Sequence, residues 1–81
     1  MEDTYEDVVF TKTEATMRLM NKAKKLMTNA NNLNKVYKVY RHVRIWIYCQ
    51  WAYAGVFSHE EHDALVREIS SMRDEALKKF R

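Results

Sequence analysis

His59, His62 and Asp63 are the residues whose types and spacing come nearest to a metal site. Residues three and four apart share a helix face, so two imidazoles and a carboxylate can converge there. The zinc-protease pattern needs histidines four apart, however, and these are three apart. A closed site would also need further ligands, with His42 and Cys49 as the remaining soft donors. The run His59-Glu-Glu-His62-Asp63 reads better as the polar first turn of a helix, matched to the helix dipole. No metal and no other cofactor is expected.

Cys49 would serve as a nucleophile only beside a base that lowers its pKa. It lies among Ile47, Tyr48 and Trp51, so a buried thiol is the better reading. A single glycine rules out a glycine-rich phosphate loop. No carboxylate pair stands apart from ordinary solvated helix faces. The chain is read as non-enzymatic.

Binding chemistry has more support. Lys35, Lys38, Arg41 and Arg44 interleave with Tyr37 and Tyr40, and Lys22, Lys24 and Lys25 lie in the same half of the chain. Basic side chains neutralise phosphates and aromatic rings stack on bases. Lys22, Lys25, Lys35, Lys38, Arg41 and Arg44 are therefore the candidate nucleic-acid contacts. The formal net charge of +3 conceals a strong asymmetry. Glu2, Asp3, Glu6 and Asp7 make the start acidic. From Lys12 to Arg44, nine basic residues face Glu14 alone. Against nucleic acid stands the bland reading, in which a charge run is a solvated face and the two tyrosines belong to the core.

The aromatic stretch Val43–Phe57, VRIWIYCQWAYAGVF, offers a second kind of surface. It holds both tryptophans, and the thirteen residues from Ile45 to Phe57 carry no charge. Thirteen is short of the ~20 apolar residues that span a bilayer. A membrane-surface role for Trp46, Trp51 and the flanking arginines is the weaker alternative. Trp and Tyr anchor protein interfaces, so Trp46, Tyr48, Trp51 and Tyr53 are the candidate partner or dimer contacts. A chain of 81 residues buries only roughly 60–65% of its unfolded surface. A two-fold homodimer using this patch is the simplest way to cover it.

These residues need elements to position them. With no proline and one glycine, hairpin-rich β architecture is disfavoured. The expectation is an all-α single domain of two or three antiparallel helices, a small helical bundle completed by dimerisation. Residues 1–10 form an acidic arm, irregular or briefly extended. Helix 1 covers 11–30, starting at the capping box Thr11-Lys-Thr-Glu14 with Phe10 at the staple position. Met17, Met20 and Met27 lie along it, either as core or as an adaptable binding face.

Helix 2 covers 32–54, with a strand over His42–Cys49 as the minor alternative. Helix 3 covers 58–80, opened by a second capping box, Ser58-His-Glu-Glu61. The joint at Asn29–Asn34 holds four asparagines in six residues, which favours a break. The other reading runs straight through it. Leu19, Ala23, Leu26, Ala30, Leu33, Tyr37, Tyr40, Arg44, Ile47, Trp51 and Ala54 form one heptad seam with Arg44 as its polar exception. Beyond Arg44 the second helix is apolar nearly all round, and so expected to be buried all round.

The acidic start is the reverse of a secretory leader, and the lone Cys49 leaves no intramolecular disulfide. A cytoplasmic protein is expected. Its function is read as a small protein-binding regulator, inhibitor or adaptor. The runner-up is a nucleic-acid-binding accessory protein.

Overall fold

A computed structural model describes the backbone of residues 2–80 and the side chains of residues 14–80. Three helices follow one another: α1 (Glu2–Thr28), α2 (Leu33–Ala52) and α3 (His59–Leu77), the last extended by a 3₁₀ turn at Lys78–Phe80. All three pack on one another, with α2 against α3 the most extensive pairing. Leu19 and Val43 line one α1–α2 groove, and Tyr40 meets Ser70 across α2 and α3. The helices therefore run up, down and up. Among the described residues no strand occurs, so His42–Cys49 is helical.

The expected arm is instead the first part of α1, which starts at Glu2 and runs through Thr11. Extending a helix adds one hydrogen bond per residue fixed, so an existing helix grows cheaply where no glycine or proline stops it. The Thr11–Glu14 box is thus not a helix start; the side chains of Phe10 and Thr11 lie outside those described. Glu14 instead pairs with Arg18 one turn on.

The asparagine joint does break the chain. Thr28 hydroxyl donates to the Lys24 carbonyl at 2.7 Å, and the helix stops. Asn32 then caps α2, its side chain accepting the Lys35 N–H at 2.9 Å. At the other end Tyr53 and Ala54 N–H both reach the Cys49 carbonyl at 3.0 Å. Gly55 turns the backbone at φ 66°, a conformation that costs glycine little. Ser58 opens α3 with both halves of its capping box formed: its hydroxyl accepts the Glu61 N–H at 3.1 Å, and the Glu61 carboxylate accepts the Ser58 N–H at 2.9 Å.

The core comprises Met20, Ala23, Met27 and Ala30, then Val36, Val43 and Ile47, with Ile69 from α3. Leu65, Val66, Met72, Ala76, Leu77 and Phe80 line up beside Ile69 as the α3 stripe. Of the three methionines on α1, Met20 and Met27 are core, while Met17 is 60% exposed. Phe57, buried between α2 and α3, meets Trp46 edge-on at 5.7 Å.

The seam does not survive the break. Leu26, Leu33, Tyr37 and Arg44 are exposed, and Val36 and Val43 take the buried places. Residues outside helical geometry at the joint shift the rotational phase, so a count carried across it misplaces Leu33, Tyr37 and Arg44, although Ile47 stays buried and Tyr40 half-buried; Leu26 is exposed already within α1. Nor is the later half of α2 buried all round: Ile45 is 57% and Tyr48 48% exposed. Two neighbouring helices cover only the side of α2 that they touch.

Candidate functional site

The cap at Asn32 sets the phase of α2, and the phase sets what α2 presents. With Val36, Val43 and Ile47 inward, Tyr37, Arg41, Ile45 and Tyr48 fall at steps of four, four and three on the outward side. Together with Tyr40 and Arg44 they line an open groove of about 460 Å³. Tyr37, Ile45 and Tyr48 are large apolar side chains left in solvent. Among the described residues neither Arg41 nor Arg44 has an acidic partner; the ion pairs there involve Glu14, Asp63, Asp74 and Glu75.

Tyr40 is the hub of this groove. Its hydroxyl accepts a hydrogen bond from the Arg44 guanidinium at 2.8 Å and lies 3.5 Å from Ser70 Oγ. The Arg73 guanidinium sits 4.5 Å from the ring centroid, and that of Arg44 at 5.7 Å. Such stacking is favourable because the ring face is electronegative. The Ser70 hydrogen bond holds the Tyr40 phenol below its ordinary pKa. Burial opposes it, and the Arg44 hydrogen bond and the charges of Arg44 and Arg73 add to it. Arg73 is itself engaged by Asp74 at 3.1 Å.

The residues singled out in the sequence separate into groups. Trp46 and Trp51 are partly buried and serve the chain's own packing. Trp46 packs on Phe57, and Trp51 on His62 at 4.5 Å and on Tyr48 at 5.9 Å. Tyr48 and Tyr53 are exposed and meet edge-on at 5.9 Å. Of the basic residues, Arg41 and Arg44 share the Tyr40 groove. Lys22 and Lys38 flank a smaller groove of about 260 Å³ between α1 and α2. Lys25 and Lys35 are exposed near the joint, in neither groove. The six cations therefore divide between two grooves and the exposed surface near the joint.

His59 and His62 both turn to Asp63, at 3.4 and 3.1 Å. The His62 hydrogen bond depresses the Asp63 pKa; desolvation opposes it and the charges of His59, His62 and Arg67 assist. Among the described residues no three His, Cys, Asp or Glu side chains are placed to hold a metal ion. Cys49 is partly buried. No helix of the described residues is long and apolar enough to cross a membrane.

Arg73, which stacks on Tyr40, and Ile45, which lines the groove, escaped sequence reasoning. Arg73 lies on α3, far along the chain from Tyr40, and nothing local to either residue signals the pairing. Ile45 did carry a signal: a helical wheel of α2 begun at its own cap puts it opposite Val43 and Ile47. No protein-family model, curated protein or solved structure matches the chain.

Proposed function

We propose that this chain is a non-enzymatic protein-binding module, a small regulator or adaptor, acting through the outward face of α2. The observation that supports it is the joint exposure of Tyr37, Ile45 and Tyr48 beside Arg41 and Arg44, which have no acidic partner among the described residues. Tyr and Arg dominate interface energetics because they bring large contact area and directional polar groups together. A contiguous apolar patch on a small chain marks an interface. A two-fold homodimer across this face would set Arg41 and Arg44 of one copy against those of the other, with no carboxylate in the groove to offset them. Like charges facing each other in an interface are costly, so a different protein is the better partner. Cys49 as the single thiol suits a reducing compartment, and a cytoplasmic module belongs to this reading.

The test is affinity capture from the source cell, before and after nuclease treatment, using wild type and the double variant Ile45→Ser/Tyr48→Ser. Both side chains point away from the core, so the variant should keep its helical circular-dichroism spectrum. A protein retained by wild type after nuclease, and lost by the variant, is the expected result. Retention that the variant leaves unchanged refutes the assignment to this face.

Nucleic acid is the second reading, favoured by two arginines without acidic partners beside tyrosine rings. It requires retention that disappears with nuclease and weakens steeply with salt. Changing Lys35, Lys38 and Arg41 together to glutamine should then abolish it.

A further inference from the structure

Grooves on the described surface differ in charge. The groove along α2 has Arg41 and Arg44 as its charged lining residues. The α1–α2 groove beside it has Lys22 and Lys38, with His42. By contrast, the groove beneath Met17 carries Glu61 and Glu68, and that near Thr28 mixes Glu75 with Lys24 and Lys79. The outward side of α2 is therefore cationic without internal compensation, and α2 itself contains no acidic residue.

Shape and chemistry narrow the occupant further. Tyr37 to Tyr48 spans eleven residue steps, roughly 16 Å of straight helix at ~1.5 Å per residue. A second helix laid alongside meets such a face through apolar residues at i, i+3 or i+4, and i+7. Ile45 lies on this face one turn before Tyr48 and is 57% exposed. An aliphatic side chain offers nothing to a phosphate and does not stack on a base, but it packs well against Leu or Ile. Arg44 is already oriented by the Tyr40 hydroxyl at 2.8 Å. Guanidinium groups held in place bind carboxylates in a two-point fork with less ordering cost.

From these observations we infer that the groove takes an acidic amphipathic helix of another protein, laid along α2 with its apolar ridge on Ile45 and Tyr48 and its carboxylates on Arg41 and Arg44. The inference rests on the protein-binding reading above and names the chemistry of the partner. Tyr40 acts in it as a positioning residue, through Arg44.

The test uses the full chain, isotope-labelled for amide NMR, and four fluorescent probes. One is a Leu/Ala/Glu amphipathic peptide of about 20 residues, long enough to hold a helix. Two more are its Glu→Gln and Glu→Lys counterparts, and the fourth is a single-stranded oligonucleotide. The acidic peptide should bind at the Tyr37–Tyr48 amides, at least about tenfold more tightly than either counterpart, a gap of ~1.4 kcal/mol. Arg41→Glu/Arg44→Glu should abolish that preference, and Arg41→Lys/Arg44→Lys should restore part of it. Tyr40→Phe should weaken acidic-peptide binding several-fold while leaving the Glu→Gln peptide unaffected, which a merely structural role for Tyr40 would not do.

Equal binding of the Glu→Gln peptide at this face overturns the acidic chemistry and leaves the protein-binding reading standing. Binding of the oligonucleotide alone overturns both. No perturbation of the Tyr37–Tyr48 amides by any peptide at millimolar concentration overturns the inference, while capture from the source cell still judges the broader reading. Perturbation of those amides on concentrating the chain by itself makes a second copy the occupant, and also overturns it.

Discussion

Asp63 illustrates how single residues are committed in this chain. Its carboxylate receives His62 at 3.1 Å and His59 at 3.4 Å, and its pKa is lowered chiefly by the His62 hydrogen bond. A carboxyl with a folded-state pKa below its unfolded value adds stability above the unfolded value, about 3.9. That contribution is lost as pH falls through the folded value. Asp63→Asn should therefore lower the urea midpoint at neutral pH, and the gap from wild type should close as pH falls below about 4. A gap equally wide at pH 3 and pH 7 would mean that the histidine contacts contribute nothing through charge. The same two histidines were the only residues whose pattern hinted at metal. Both meet Asp63 at the start of α3, and Trp51 packs at a tilt on His62 with 4.5 Å between ring centroids.

At the scale of the element, helix ends decide where the faces point. Ser58 and Glu61 satisfy each other's backbone N–H groups, so α3 starts at a fixed residue and its stripe from Leu65 to Phe80 meets the core in register. Ser58→Ala should cost about 0.5–2 kcal/mol. For a domain of this size each kcal/mol moves Tm by roughly 4–8 °C. Ser58→Thr should recover most of the loss, since threonine also caps. An unchanged Tm in the alanine variant would place the start of α3 elsewhere. At the far end Lys79 Nζ donates to the Met27 and Thr28 carbonyls, at 3.3 and 2.5 Å. A cation at the C-terminus of α1 complements its dipole and ties the last turn of the chain to the end of the first helix.

For the molecule as a whole, the joint at Asn29–Asn32 decides whether the chain closes on itself. As it stands, Asn32 caps α2 and α1 folds back, bringing Met20, Ala23, Met27 and Ala30 onto Val36, Val43 and Ile47. Changing Asn29, Asn31 and Asn32 together to alanine removes the cap and supplies the best helix former. The seam across the joint would then be continuous, and α1 and α2 should fuse into one long helix. A fused helix cannot fold onto itself, so two chains should exchange helices to rebuild the core, the usual route of domain swapping. Sedimentation of the triple variant beside the wild type should show a helix-exchanged dimer that the variant alone keeps on dilution. A monomeric triple variant with unchanged stability would show that packing alone forces the turn.

The all-α class, the three helices, the break at the asparagines, the stop near Gly55 and the capped start of α3 were legible in the residues. Each follows from local rules: propensity, hydrogen-bonding side chains at helix ends and the positive φ that glycine tolerates. The stripe of α3 was legible for the same reason, since its phase is set by its own cap. Tertiary structure alone decided which face of α2 is the outside. The heptad count entered α2 from α1 and so placed Tyr37 and Arg44 inward and left Val36 out, because four residues at the joint do not follow the helical rotation. The length of α1 was likewise misjudged, since a capping box signals a helix start only where no helix already arrives. The contacts of Tyr40 join Arg44, one turn away, to Ser70 and Arg73 on another helix. Local sequence encodes contacts within a few residues, whereas contacts between helices depend on the packing angle and phase that the buried side chains settle together.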